Sequence, residues 1–396
     1  MMLEQNDFIP FHLPSLGKEE EDAVLRVLRS KWLTTGKETL AFEQEFSSFM
    51  EKATTKSIVS LAVNSASSGL QLAMEACDVG TGGKILTTPY TFVSTATSAC
   101  HLGGGVVYAD LGKDSYNIDP DAMEKKLQEH KDIKALVPVH IAGLPCNMKA
   151  INDLSKKYNI PVIEDAAHSF PSKTQAGYAG TLGDIGVFSF YATKTITTGE
   201  GGMICTSNPE YAERIKKMRM HGIDRPVWDR YTSKKASWEY DVVASGYKFN
   251  LPDILSAIGR VQLAKAEDLL NRRIKIAQIY NAAFKEYDFL QIPPDGEGNS
   301  WHIYVLRIIP EKLSIDRNQF TELLQKEGIG VSMHFIPHFN MSYFKKNFDL
   351  KVEDFPNAQK QFSTSFSLPI WPDMTAEMVH RVTKTVISLG KKYYVC

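Results

Sequence analysis

Two short blocks carry residue types that belong together chemically. One is Val162-Ile163-Glu164-Asp165-Ala166-Ala167-His168; the other is Ser189-Phe190-Tyr191-Ala192-Thr193-Lys194-Thr195-Ile196-Thr197-Thr198-Gly199-Glu200-Gly201-Gly202. In each, an apolar strand-like run leads into one ionisable side chain, Asp165 in the first and Lys194 in the second. A primary amine condenses with an aldehyde, and a carboxylate facing a pyridine nitrogen keeps it protonated, so that the ring can accept electrons. Pyridoxal phosphate (PLP) requires both groups. A lone lysine after a strand is ordinarily a solvated terminus, and a lone aspartate there ordinarily caps a turn. The pairing is what points to a cofactor.

Other residues supply what remains of such a site. His168 is expected within reach of the same ring, near its 3'-oxygen. Asn64-Ser65-Ala66-Ser67-Ser68-Gly69-Leu70 follows a strand and opens a helix, whose first amides and small hydroxyls make an anion cradle. Serine is also a common helix cap, so this motif is weak alone. Ser189, five residues before Lys194, is a second phosphate ligand candidate, against plain strand alternation. Phe92, in Pro89-Tyr90-Thr91-Phe92, is a ring-stacking candidate, against a plain core aromatic. His334 and His338 have the i, i+4 spacing of a metal pair, but Pro337 breaks the helix that would put both on one face. No metal site is expected.

These side chains need a scaffold. From about residue 58 to 206, apolar runs alternate with helical stretches: strands at Ser57–Val63, Lys84–Thr88, Gly105–Ala109, Ile133–Val139, Pro161–Glu164, Gly186–Phe190 and Met203–Thr206, and helices at Ser67–Ala76, Asp119–His130 and Met148–Tyr158. Near-continuous apolar strands between amphipathic helices make a mostly parallel sheet covered on both faces. Its ligands gather at the carboxyl ends of strands, where Asp165 and Lys194 fall. Upstream, Ser15 is read as the cap of a helix with Val24, Val27 and Leu28 buried, and Leu40, Phe42, Phe46 and Phe49 as apolar faces of a second. Residues 220–245, with His221, Arg225, Trp228, Arg230, Trp238 and Tyr240, read as a loop excursion. One long helix from about Pro252 to Lys285 leads to a smaller region with a strand at Trp301–Ile309 and helices near Asp316–Glu327 and Thr375–Lys391.

At 396 residues the chain suggests two domains. The division expected is an arm over residues 1–15, a large domain over 16–250, and a linker helix with a small domain over 251–396. A formal net charge of -1 gives no electrostatic reason to expect nucleic acid or an anionic membrane as partner. No apolar run reaches the length of a membrane span, and the first residues lack a signal-type stretch. The five cysteines have no framework spacing, which fits a reducing cytoplasm, with Cys396 a terminal thiol.

Taken in order, these blocks resemble the DegT/StrS-type PLP-dependent sugar aminotransferases, of the aspartate-aminotransferase fold (fold type I). The resemblance runs from Leu33-Thr34-Thr35-Gly36 through Pro89–Val93, Pro138-Val139-His140, the Asp165 and Lys194 blocks and Gly246-Tyr247-Lys248-Phe249-Asn250-Leu251 to Ser367-Leu368-Pro369. It implies an α/β architecture: a large domain with a mostly parallel seven-stranded sheet between helices, and a smaller α/β C-terminal domain. It further implies Lys194 as the lysine joined to the cofactor and Asp165 as the pyridinium partner. His168, Ser189, Ala66, Ser67 and Phe92 become cofactor contacts; alanine at 66 departs from the family's usual glycine. Asn250 matches a residue reaching the phosphate from a neighbouring subunit, which implies a homodimer with composite sites.

The implied reaction moves an amino group from glutamate to a nucleotide-linked keto-sugar. Members with histidine at the lysine position dehydrate the sugar at C3 instead, so Lys194 favours transamination. The Gly-Tyr-Lys-Phe-Asn-Leu form resembles the branch acting at C4. Thr35, Gly36 and His334 are expected to touch the substrate, along with the Arg219–Arg230 loop. The alternatives are a PLP-dependent sugar dehydratase and a PLP-binding regulator.

Overall fold

The computed structural model describes residues 8–224, 240–294 and 296–395. Residues 1–7 of the expected arm, Arg225, Trp228, Arg230 and Trp238 of the loop excursion, and Cys396 lie outside the described residues.

Five strands alternate with helices in the first part of the chain: β1 (Val59–Val63), β2 (Lys84–Thr87), β3 (Gly105–Tyr108), β4 (Ile133–Leu136) and β5 (Ile163–Asp165). A short hairpin follows, β6 (Lys173–Thr174) with β7 (Gly177–Tyr178), then β8 (Ile185–Ser189) and β9 (Gly202–Thr206). β2 pairs in parallel with β3 and β4, and β5 in parallel with β8. Parallel bridges Leu136–Val162 and Val139–Asp165 join the two groups. β9 alone is reversed, lying antiparallel between β8 and β1. The result is one seven-stranded sheet of order β3-β2-β4-β5-β8-β9-β1.

The apolar runs explain the placement. Strands buried on both faces need helices on both sides, and residues such as Val63, Leu70, Val187 and Ile204 fill one interlayer core while Phe46, Phe170, Phe188 and Phe190 fill another. Each fully buried side chain of this size contributes about 1.5–3 kcal/mol. The helix Ala66–Ala76 lies so close to the sheet that a Cβ at Gly69 would sit 2.7 Å from Val187 Cγ1. Met148–Tyr158 begins where Asn147 accepts the Ala150 amide, and it has the bounds the sequence predicts.

The C-terminal part builds a second, antiparallel sheet from β10 (Leu290–Gln291), β11 (Tyr304–Ile308) and β12 (Ser365–Leu368). Its helices Arg317–Lys326 and Ala376–Lys392 cover a core containing Phe320, Phe366, Trp371 and Val382.

Several expectations are corrected. Ser15 does not cap the first helix, Lys18–Ser30: Gly17 is the cap residue, and its amide donates to Glu20 Oε2 at 2.8 Å, while the Ser15 carbonyl accepts from Gln262. The helix expected over 252–285 is two, Asp253–Ala264 and Ala266–Phe284. Lys265 closes the first with a bond to the Gln262 carbonyl, and its amine reaches Glu20 at 2.9 Å. Trp301 is not in a strand; it has a positive φ of 50°. Leu28 and Leu40 are 46% and 47% exposed, their helices turning Val27 and Phe42 inward instead.

Candidate active site

Strand alternation sends neighbouring side chains to opposite faces. In β5 it separates two acids. Glu164 points into the scaffold and is fully buried, accepting hydrogen bonds from the amides of Gly180, Leu182 and Gly183 at 2.6–2.7 Å and pairing with His140 Nε2 at 2.8 Å. His140 Nδ1 accepts the Cys146 amide at 3.0 Å, so Nε2 carries the hydrogen that goes to Glu164. Asp165 points the other way, into a cavity of about 420 Å³. Thr95 Oγ1 donates to its Oδ2 at 2.8 Å and the Ala167 amide to its Oδ1 at 3.2 Å. Burial pushes its pKa up; the Thr95 and Ala167 donors and the Lys194 charge pull against that.

Lys194 comes to the same cavity from the loop between β8 and β9. Ser189 pairs with Gly202 across the two strands, the Phe190 amide donates to Gly201 O at 2.9 Å, and the Thr198 amide to Phe190 O at 3.0 Å. Within the loop the Lys194 amide closes a turn on Tyr191 O at 2.9 Å, and Thr195 Oγ1 ties the far side to Phe170 O. Burial lowers the Lys194 pKa to about 8, with Asp165 offsetting part of the shift. A fraction of the amine is therefore neutral, and nucleophilic, near neutral pH.

The rest of the wall combines predicted and unpredicted residues. Ala66, Ser67 and Ser189 line one part; His168, His334 and Phe92 line another. Ser65 caps the helix by accepting the Ser68 amide, which leaves the Ala66 and Ser67 amides without acceptors among the described residues. A Cβ at Gly202 would come within 2.9 Å of the Ala66 nitrogen, so the glycine keeps this end open. His168 Nδ1 accepts the Ala142 amide at 3.3 Å, and its ring stacks on Phe335. His334 Nδ1 lies 2.9 Å from Ser367 Oγ; burial, then the Lys194 charge, lowers its pKa to about 3. His338 goes elsewhere, with Nδ1 3.0 Å from the Tyr108 hydroxyl and its ring flat on Phe344. Phe92 is 56% exposed, lines the cavity and packs at a tilt on Phe335.

Thr35, Gly36 and Asn250 are not brought to this wall. They cluster with one another: Asn250 Nδ2 donates to Thr35 Oγ1 at 2.6 Å, and Thr35 Oγ1 to Leu251 O at 2.6 Å. The Gly36 amide donates to Asp253 Oδ1 at 2.7 Å, and a Cβ there would strike the Trp32 indole, so packing accounts for this glycine. Arg219, expected in a substrate loop, is buried in an ion pair with Glu43 and donates to Ala62 O at 2.7 Å; its charge is taken up by the scaffold. Residues without an assigned role from sequence also line the cavity: Tyr191, Glu200, His302, Met333 and Phe335. Tyr191 and Glu200 sat inside the Lys194 block, whereas His302 had no local signal.

A lysine amine, an opposed buried carboxylate and a glycine-kept helix N-terminus now share one cavity at the carboxyl ends of a parallel sheet. The DegT/DnrJ/EryC1/StrS aminotransferase family model matches residues 14–387. The chain belongs to that family. The spore coat polysaccharide biosynthesis protein SpsC of Bacillus subtilis is 38% identical over 394 residues, 99% of each chain. Helicobacter pylori PseC, an aminotransferase involved in the biosynthesis of pseudoaminic acid, is 29% identical with a TM-score of 0.88, covering 98% of this chain and 100% of its own. Spr1654 of Streptococcus pneumoniae, solved in a PMP form, is 26% identical with a TM-score of 0.88 over 97% of this chain and 99% of its own. The same Spr1654 has also been solved in a PLP form. Family membership implies PLP. The residues present fit it: the amine and carboxylate face one cavity, and the unpartnered Ala66 and Ser67 amides form a cradle that a side chain at 202 would close.

Proposed function

We propose that this protein is a PLP-dependent aminotransferase that moves an amino group from glutamate to a nucleotide-linked keto-sugar, at C4 of a 4-keto-6-deoxy sugar, in the making of amino sugars for surface polysaccharide. The observation that carries the reading is the buried Lys194 amine in one cavity with Asp165. The polysaccharide and sugar setting is supported by SpsC, a spore coat polysaccharide biosynthesis protein, and PseC, an aminotransferase of pseudoaminic acid biosynthesis; the nucleotide-linked 4-keto sugar rests on the family resemblance and the Gly246–Leu251 block.

Bound PLP supplies an aldehyde for the lysine and a ring that withdraws electrons from the reacting carbon. Lys194 would hold it covalently, and its amine would carry the proton that leaves and re-enters substrate carbon. A pKa of about 8 suits that exchange, since both amine and ammonium are populated near neutrality. Asp165 would hold the ring nitrogen's proton. The Ala66 and Ser67 amides and the Ser67 and Ser189 hydroxyls would hold phosphate at the helix N-terminus. Phe92 would cover one ring face, and His168 would stand by the 3'-oxygen. His334, neutral at working pH, would hydrogen-bond sugar hydroxyls without adding charge. Asn250, with Thr35 and Gly36, would serve the cavity of a second subunit, making the active unit a homodimer.

The test is turnover of glutamate with a panel of nucleotide-linked 4-keto and 3-keto sugars. The expected result is 2-oxoglutarate and an aminated sugar from a 4-keto substrate. A product without nitrogen would favour a dehydratase, and PLP binding with no turnover on any sugar would favour a regulator.

A further inference from the structure

A threonine in a helix commonly points its hydroxyl to solvent or returns it to a carbonyl one turn back. Thr95, in the helix Ser94–His101, is fully buried and spends its hydroxyl on two side chains instead. It donates to Asp165 Oδ2, seventy residues away in sequence, at 2.8 Å, and lies 2.9 Å from Thr91 Oγ1. A hydroxyl has one proton. With that proton committed to the carboxylate, Thr95 Oγ1 can only accept from Thr91, so the direction is fixed from Thr91 to Thr95 to Asp165.

The chain has a purpose at its end. A buried carboxyl group prefers to be neutral, and donors to the carboxylate favour the charged form. A neutral acid cannot pair with a pyridinium. Thr95 fixes Oδ2 and the Ala167 amide fixes Oδ1, which sets the plane of the carboxylate facing the cavity. Thr95 is not part of the cavity wall, whereas Thr91 and Phe92 are. The turn carrying them is held in turn by the His338 amide on Pro89 O at 2.9 Å.

We propose that Thr95, oriented by Thr91, is a positioning residue that keeps Asp165 ionised and aimed at the ring nitrogen of bound PLP. This rests on the PLP reading above. It acts only through the ring nitrogen, and that makes it separable from a role in folding alone.

The experiment measures affinity of the cofactor-free protein for PLP and for 1-deaza-PLP, in which a carbon replaces the ring nitrogen. Wild type, Thr95→Val, Thr95→Ser and Thr91→Val are compared. Loss of a hydrogen bond to a charged group predicts that Thr95→Val weakens PLP binding on the order of tenfold. Binding of 1-deaza-PLP is expected to be unchanged, and Thr95→Ser, which keeps the hydroxyl, to retain the wild-type preference. Thr91→Val, at a residue of the wall itself, is expected to lose about threefold more for PLP than for 1-deaza-PLP, and that difference decides the matter should Thr95→Val fail to fold. Equal loss for both compounds, or loss for neither, overturns the inference while leaving PLP dependence intact. A wild-type protein that binds neither compound overturns the PLP reading and the inference with it.

Discussion

Glu164 and Asp165 are consecutive carboxylates in one strand, both buried, yet they have opposite surroundings. Glu164 faces three backbone amides and the His140 imidazole, so its lone pairs are spent on holding residues 180–183 against the sheet. Among the described residues Asp165 accepts only from Thr95 and Ala167, and it faces a cavity. The difference teaches how a sheet divides labour. The alternation of a single strand assigns one acid to the scaffold and its neighbour to the ligand, and the number of committed donors tells which is which.

The strongest way to break the contrast is at the group that Asp165 opposes. Lys194→Ala is expected to lower amino transfer by about 10³-fold or more while leaving the protein folded. Borohydride reduction in the presence of PLP should then label wild type and not the variant; equal labelling would remove Lys194 from its role.

The next effect tests the two acids against each other. Asp165→Asn is expected to lower turnover by about 10²-fold or more with little change in melting temperature. Glu164→Gln replaces an acceptor with a second donor facing buried amides, and should cost roughly 3 kcal/mol of stability in denaturant unfolding. If Asp165→Asn proves the more destabilising of the two, the division of labour is wrong.

Protonation of Lys194 gives a sharper measure. Its folded pKa is about 8 against an ordinary 10.5, so the unfolded chain binds more protons across that window. The penalty for burying the ammonium is complete below about pH 8 and disappears as pH rises toward the free-lysine value. Without cofactor, Lys194→Met is therefore expected to be more stable than wild type near pH 7, with the difference shrinking toward about pH 10. A difference that stays constant with pH would mean the amine is not desolvated.

A smaller effect is expected at the phosphate cradle. Ser67→Ala should weaken PLP affinity about fivefold, one neutral hydrogen bond's worth. Equilibrium dialysis checks it, and no change would leave the amides alone as the anchor.

Much of this was legible because the signals are local. All seven sheet strands stand where continuous apolar runs predict them, and the residues ending those strands, Asp165 and Ser189, reach the cavity. What escaped depends on partners far away in sequence. The Asp253 carboxylate does the capping for the helix Lys37–Glu51, taking the Gly36 and Thr39 amides from more than two hundred residues away. The burial of Arg219 against Glu43, the bond of Thr95 to Asp165 and the arrival of His302 at the cavity likewise have no periodicity to betray them. Ser15 does not cap the first helix because Gly17 and Glu20 do that work two and five positions on.

The reversal of β9 has an evolutionary reading. The segment carrying Lys194 leaves the sheet at Ser189 and re-enters it at that residue's own partner, Gly202, so both its ends are pinned at one place. Such a segment is an exchangeable part. The reactive side chain faces the cavity, while Thr195, Ile196 and Thr197 tie the segment to Phe170, the neighbouring core and Gln262, so a change at position 194 leaves those anchors in place.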